Sequence, residues 1–143
     1  MAITSALCTS FKKELLERKH DFNATSGHSF KIALYTSAAS LDAATTVYST
    51  SNEVVGTGYT AGGTDTQNGY TETAGTASMT GVDVVWTAGA ADWNTFRYVV
   101  LYNDTQTSPA DPLIAWWDYG SGLVLGNGET FTVDFGSSIF TLA

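Results

Sequence analysis

Two histidines, one cysteine and fourteen carboxylates are the side chains of this 143-residue sequence that suit catalysis or metal binding. A zinc site built on His20 and His28 would need two further ligands, and their spacing matches no known zinc motif. No serine or cysteine stands in the context of an activated nucleophile. The sequence therefore predicts no catalytic residue, no metal site, no cofactor and no enzymatic activity. Cys8 is expected to be a small buried apolar residue.

Two segments resemble ligand-binding motifs, and turns explain both of them better. Residues 65–72 offer oxygen ligands for calcium, but Gln67 and Gly69 stand where an EF-hand loop has Asp or Asn. Residues 56–62 have the spacing GxGxxxG without the βαβ context of a nucleotide-binding fold. A glycosidase needs a carboxylate pair, and the sequence does not select one pair among its many acids.

Tryptophans are the other side chains with functional potential, because indole rings stack on sugars and anchor protein interfaces. Trp93, Trp116 and Trp117 are the candidates for an interface or a glycan-stacking platform. Adjacent residues on a strand point to opposite faces, so one of Trp116 and Trp117 fills the core and the other meets a second layer, a subunit or a ligand. The pattern favours core or subunit contact over sugar binding.

Charge is distributed very unevenly along the chain. The net charge is −8 with a pI near 4.3, which disfavours nucleic acid and anionic membranes as partners. Residues 1–31 carry five basic and three acidic residues, whereas residues 32–143 carry Arg97 against eleven acids. The lone cysteine excludes an internal disulfide, and the first residues lack the pattern of a secretory signal.

The N-terminal region predicts one amphipathic helix. Leu7, Phe11, Leu15 and Phe22 recur at helical spacing, which indicates a helix over Thr9–His20 capped by Thr9 or Ser10. A turn-rich linker follows, so the predicted division is a helical arm and linker at 1–29 and a body at 30–143.

Alternating apolar and polar residues predict a β-rich body. The expected strands are Phe30–Thr36, Thr46–Ser49, Gly58–Ala61, Ala77–Trp86, Phe96–Asn103, Leu113–Tyr119, Glu129–Phe135 and Ile139–Leu142. The strand at 96–103 is apolar on both sides and is expected to be covered on both faces, and Asn127-Gly128 is typical of a hairpin turn. The fold class predicted is all-β, a jelly-roll-like β-sandwich with a short N-terminal helix.

An ordered series of segments resembles one family across nearly the whole chain. The segments are MAITSALCTSFKKELLERKHDF, FKIALYTSAAS, TTVYSTSNEVVGTGYTAGG, YVVLYND and ETFTVDFGSSIFTLA. This series is similar to the short structural proteins encoded in the virion module of tailed bacteriophages, and within that group to capsid cement, or decoration, proteins. The most specific parts are NEVVGTGYTAGG and the helix followed by FKIALYT.

The resemblance implies a non-catalytic protein on the outer capsid surface of the virion, made in the host cytoplasm. Its partner would be the major capsid protein lattice, whose neighbouring subunits it would bridge as a homo-oligomer, dimer or trimer. The basic helix is then expected to dock on an acidic capsid surface, unless it covers one end of its own body. The predicted contact residues are Phe11, Lys12, Lys13, Leu15, Arg18 and Lys19. The alternative function is a tail or fibre component that binds a host receptor or surface glycan.

Overall fold

The computed structural model describes residues 3–143, which form ten strands and one helix. In chain order the elements are β1 (Thr4–Leu7), α1 (Thr9–Leu16), β2 (Phe30–Thr36), β3 (Thr64–Asp65), β4 (Gly69–Thr73), β5 (Thr76–Thr80), β6 (Val84–Thr87), β7 (Phe96–Asn103), β8 (Leu113–Leu123), β9 (Thr130–Val133) and β10 (Phe140–Leu142). The prediction of an all-β sandwich with a short N-terminal helix is confirmed. No helix in residues 3–143 has the length and apolar character needed to span a membrane.

A five-stranded antiparallel sheet forms the centre of the fold. Its strand order is β1-β8-β7-β2-β3, with Ile32 of β2 opposite Leu101 of β7 and Leu101 opposite Ala115 of β8. Val100 and Leu101 are neighbours on β7, so they point to opposite faces, and both are fully buried. The prediction that this strand is covered on both faces is therefore confirmed.

Two smaller sheets complete the sandwich, one with the order β10-β5-β4 and one formed by β6 and β9. Aromatic rings join them to the rest of the fold. Phe131 of β9 meets Phe96 of β7 edge-on at 4.9 Å between ring centroids, and Phe140 of β10 meets Phe11 of α1 at 5.4 Å. The helix and all three sheets thus share one hydrophobic core.

The helix ends earlier than its apolar spacing predicts, at Leu16 instead of His20. Arg18 adopts a left-handed backbone with φ +58°. The amide of Arg18 donates to the Leu15 carbonyl and the amide of Lys19 donates to the Glu14 carbonyl, which is the pattern of a Schellman motif. The predicted end is wrong because this turn reverses the chain, so that Phe22 returns onto Phe11.

The helix also begins without the predicted side-chain cap. Cys8 occupies the N-cap position, and its side chain makes no capping hydrogen bond. Backbone carbonyls from elsewhere in the fold serve the first amides instead. Cys8 N donates to Ile114 O at 2.7 Å, and Thr9 N donates to Ala43 O at 2.7 Å. The prediction of Thr9 or Ser10 as the cap is wrong because neighbouring backbone satisfies those donors.

Residues 3–29 do not stand apart from the rest of the chain. β1 pairs with β8 in the central sheet, with Thr4 opposite Asp118 and Leu7 opposite Ala115. The sequence did not predict this strand, because its four residues include one large apolar side chain and show no alternation. The helix that follows packs Phe11 into the shared core.

The predicted strand Ala77–Trp86 is two strands in different sheets, β5 and β6. The break falls at Gly81, where a Cβ atom would lie 2.7 Å from Ile139 Cδ1. Val82 is 53% exposed, whereas Val84 and Trp86 of β6 are buried, so the three residues do not share one face as a single strand at 77–86 would require. A larger residue at position 81 would have to displace the end of the Ile139 side chain, so glycine suits the place where the chain leaves one sheet for the other.

Three other local predictions are wrong. Residues 58–61 form a turn, in which Gly58 has φ +95°, and residues 46–49 contribute a single bridge between Val47 and Pro112. The Asn127-Gly128 turn connects β8 and β9, which belong to different sheets, so it does not close a hairpin. Its Gly128 amide donates to the Ala88 carbonyl, which anchors the turn to the end of β6.

Candidate interaction surfaces

The exposed side of α1 and the turn that follows it carry the basic side chains predicted to contact a partner. Lys12, Lys13 and Arg18 are exposed and Lys19 is half-buried. Leu16 lies beside them on the helix surface, four residues after Lys12, and is 88% exposed. We call Lys12, Lys13, Leu16 and Arg18 the basic helix face. The sequence analysis missed Leu16 because it falls outside the apolar stripe.

The two apolar residues predicted to contact a partner lie on the inner side of the helix. Phe11 is 0% exposed and packs edge-on against Phe22 and Phe140. Leu15 is half-buried against the same core. Phe11 is therefore unavailable to a partner in this structure, because its ring is used to hold the helix on its own body.

A buried polar cluster fixes the helix and the following turn to β7. We call Glu14, His20, His28 and Asn103 the histidine cluster. His20 Nε2 lies 3.0 Å from Glu14 Oε2, and Asn103 Nδ2 lies 3.0 Å from His20 Nδ1 and 2.8 Å from His28 Nδ1. Burial lowers the pKa of His20, and this effect exceeds the opposing influence of the Glu14 carboxylate.

The orientation of Asn103 determines which nitrogen of each imidazole accepts a hydrogen bond from it. Its Oδ1 accepts hydrogen bonds from the amides of Thr105 and Gln106, so its Nδ2 must face the two rings as a donor. Nδ1 of His20 and of His28 must then accept, and His20 donates from Nε2 to Glu14. The His20 side chain is 0% exposed, so this arrangement braces the fold and does not present a base to a substrate.

A second buried carboxylate organises the long excursion between β2 and β3. Glu53 is 5% exposed and accepts three hydrogen bonds. The hydroxyls of Tyr48 and Tyr59 donate at 2.6 Å each, and the Gly62 amide donates at 2.8 Å. Burial is the main cause of the raised pKa of both tyrosines, and the hydrogen bond to Glu53 raises it further. The cluster ties distant parts of the excursion into one unit.

The structure separates the three candidate tryptophans. Trp93 is 2% exposed, and its indole nitrogen donates to the Thr57 carbonyl at 2.8 Å, so it is a core residue and no stacking platform. Trp116 and Trp117 are half-buried on opposite faces of β8. Trp117 lines an apolar groove, so it is the tryptophan best placed to meet a ligand or a partner.

This groove, which we call the β9 groove, has a volume of about 440 Å³. Its lining includes Val99, Trp117 and Leu123 of the central sheet and residues 131–135 in and after β9. Arg97 sits at the rim and donates two hydrogen bonds to the Asp118 carboxylate, at 2.7 and 2.9 Å. These bonds hold the pKa of Asp118 below its usual value.

Across residues 3–143, no group of three or more His, Cys, Asp and Glu side chains lies close enough to hold a metal ion. Two surfaces of the described residues remain as candidates for binding: the basic helix face and the β9 groove. Comparison of the chain with protein-family models, with curated proteins and with solved structures finds no match.

Proposed function

We propose that this protein is a non-catalytic structural component of a tailed-phage virion, a capsid decoration protein. It would bind the assembled lattice of the major capsid protein on its outer surface and bridge neighbouring subunits. The ordered series of segments described above supports the phage assignment. The observation that carries the binding proposal is the basic helix face, which projects from a body whose residues 32–143 hold one Arg against eleven acids.

The basic helix face is a rigid feature of the fold. Phe11 fixes the helix from inside, and the histidine cluster holds the turn that follows it. Because the helix backbone is already held in place, binding through Lys12 and Lys13 costs little further backbone entropy. An acidic capsid surface would be attracted to this face and repelled by the rest of the molecule.

Decoration proteins of this kind stabilise a shell by linkage. A protein that binds the assembled lattice and not the separated subunits stabilises the assembled state, and this stabilisation grows with the logarithm of its free concentration relative to Kd. Homo-oligomers, dimers or trimers, would place several basic helix faces at matching symmetry positions and multiply weak contacts. The protein would be synthesised in the host cytoplasm and added to the completed shell.

The test is decoration of purified undecorated shells by the protein and by a charge variant. We expect the combined substitutions Lys12→Gln, Lys13→Gln and Arg18→Gln to lower the affinity for shells about tenfold, because three exposed ionic contacts are lost. The matched control introduces three negative charges on exposed residues outside the helix and outside the β9 groove, Thr71→Asp, Thr73→Asp and Asn127→Asp, and should decorate as the original protein does. Equal affinity of both variants would contradict docking by this face.

The copy number per particle distinguishes a decoration protein from a tail component. A quantitative gel of purified virions should show many copies for each portal or tail. Release on heating should coincide with loss of shell integrity. A few copies per particle would exclude the decoration role.

The second candidate function is a tail or fibre component that binds a surface glycan. The observation that favours it is the β9 groove, where Trp117 lies beside Tyr119, which is 40% exposed. Aromatic rings next to a paired arginine and aspartate suit sugar binding. Attachment of the isolated protein to host cells, lost in Trp117→Ala, would support this function and disfavour the decoration role.

A further inference from the structure

The β9 groove has a strand edge as one of its walls. Its lining includes Phe131, Thr132, Val133, Asp134 and Phe135, which are consecutive residues. The first three of these residues belong to β9, and consecutive side chains of a strand point to opposite faces, so a wall that includes all three is formed by the edge of β9. Within residues 3–143, β9 pairs with β6 and with no other strand.

The register shows which backbone groups of β9 face the groove. Ala88 N donates to Glu129 O, and Trp86 lies opposite Phe131. Hydrogen-bonded and non-hydrogen-bonded pairs alternate along an antiparallel ladder. The backbone amides and carbonyls of Thr130 and Thr132 therefore point away from β6, where they are available to another extended chain.

The floor of the groove is apolar. Val99, Trp117 and Leu123 contribute to it, and its volume of about 440 Å³ lies within the range of roughly 300–1,000 Å³ typical of binding pockets. A bound strand along β9 would place alternate side chains toward this floor. The outward amides and carbonyls of β9 can pair with an extended polypeptide. The apolar floor would contact apolar side chains at every second position of that polypeptide.

The charge at the rim selects among such polypeptides. Both bonds of the Arg97 guanidinium go to Asp118, which neutralises the positive charge nearest the groove. Asp134 remains at the rim, exposed to solvent, on a body that is strongly acidic. An acidic segment would be repelled here, and a basic one would be attracted.

We propose that the β9 groove binds an extended segment of a partner protein, as a strand added to the edge of β9, with alternating apolar side chains and with lysine or arginine between them. This inference goes beyond the capsid-binding proposal. It concerns a different surface from the basic helix face, and its test needs no shells. Its failure would leave the helix-docking proposal intact, and failure of helix docking would leave this one intact.

The probe is an eight-residue peptide of alternating valine and lysine, titrated into the full chain at low salt. Calorimetry gives the affinity, and the amide resonances of Thr130 and Thr132 report where the peptide lies. We expect binding that slows hydrogen exchange at these two amides. The matched peptide of alternating valine and glutamate should bind at least about tenfold more weakly, because its charge has the opposite sign.

Backbone pairing is tested on both partners. Thr132→Pro removes an outward amide without breaking a bond to β6, and should bind about tenfold more weakly than Thr132→Ala, which changes the same side chain but keeps the amide. The same lysine peptide with every backbone nitrogen methylated should not bind. This second arm does not depend on how the proline variant folds.

Four results would overturn the proposal. Two of them are binding of the methylated peptide, or of the glutamate peptide, with the same affinity as the unmodified lysine peptide. The third is absence of binding of the lysine peptide at millimolar concentration. The fourth is displacement of the lysine peptide by self-association of the protein in sedimentation experiments. The last result would assign the groove to a second copy of this chain.

Discussion

At the residue scale, Asn103 contacts Nδ1 of two histidines that are 75 and 83 positions away from it in the chain, and its amide nitrogen makes that atom the acceptor in both rings. The folded state needs a lone pair on Nδ1 of His20, which a proton would remove. No local pattern in the sequence marks these contacts. The sequence analysis treated the histidines as isolated residues. Their contacts with Asn103 depend on the topology, which brings β7 beside the turn after α1.

Stability should therefore fall on acidification through the titration of His20. Burial lowers the pKa of His20 below the ordinary histidine value of about 6.5, so the unfolded state binds the proton more readily than the folded state. The stabilisation is fully present above about pH 6.5 and decreases as the pH falls below it, by at most about 1.4 kcal/mol per pH unit for one proton. Urea unfolding between pH 8 and pH 5 measures this slope.

The control for this titration is His20→Gln, which removes the titrating ring and keeps a polar side chain. Its free energy of unfolding should be lower at pH 8 and should depend less on pH in this window than that of the original protein. The same slope in both proteins would show that His20 does not contribute.

Replacement of the buried Glu53 should lower the free energy of unfolding much more than replacement of the exposed Glu17. Glu53→Gln places an amide nitrogen against a tyrosine hydroxyl, and we expect a loss of about 1–3 kcal/mol in the free energy of unfolding. Glu17→Gln is the control, because its carboxylate pairs with Lys13 at the surface, 3.4 Å away, and its loss should cost at most about 0.5 kcal/mol. Equal losses in chemical denaturation would show that the Glu53 contacts contribute little.

At the element scale, strands with regular alternation were predictable and irregular chain reversals were not. β2 and β7 were predicted with their observed bounds, because each presents apolar residues at the positions that the pleat requires. The end of α1 was not predictable, because an arginine occupies the left-handed position where glycine is the usual signal. β5 and β6 separate at Gly81, which lies against Ile139 near the C-terminus. A contact between positions so distant in the chain leaves no local signal in the sequence.

The left-handed conformation of Arg18 predicts a stabilising substitution. Arg18→Gly should raise the free energy of unfolding by about 1 kcal/mol, because glycine adopts φ +58° without steric cost. Arg18→Ala removes the same side chain but keeps the strain, so it separates the backbone effect from the loss of charge. Thermal unfolding of both variants decides this, and equal midpoints would contradict the backbone explanation.

At the scale of the whole molecule, the N-terminal residues are part of the core and cannot be treated as a detachable arm. Phe11→Ala should lower the free energy of unfolding by about 3–5 kcal/mol, as expected for a fully buried phenylalanine. Lys12→Ala, at the adjacent exposed position, should change it by less than about 0.5 kcal/mol. A small effect of Phe11→Ala in denaturant unfolding would show that the helix is an independent appendage.

The shared core also determines how partner binding must be tested. Deleting residues 1–21 would remove β1 from the edge of β8 and Phe11 from the core together with the basic side chains. Loss of shell binding after such a deletion would report unfolding as readily as loss of a contact. Charge substitutions on the surface of α1 keep the core intact and are the cleaner experiment.

The burial of Cys8 provides a natural probe of local unfolding in the N-terminal region. Its thiol sits where β1 meets α1, is 0% exposed, and has a pKa raised to about 12 mainly by burial. A thiol so protected reacts with an alkylating reagent when this junction opens. The rate of Cys8 alkylation therefore reports how often the N-terminal region opens, without any engineered probe. A partner that binds the helix and holds it in place would lower this rate.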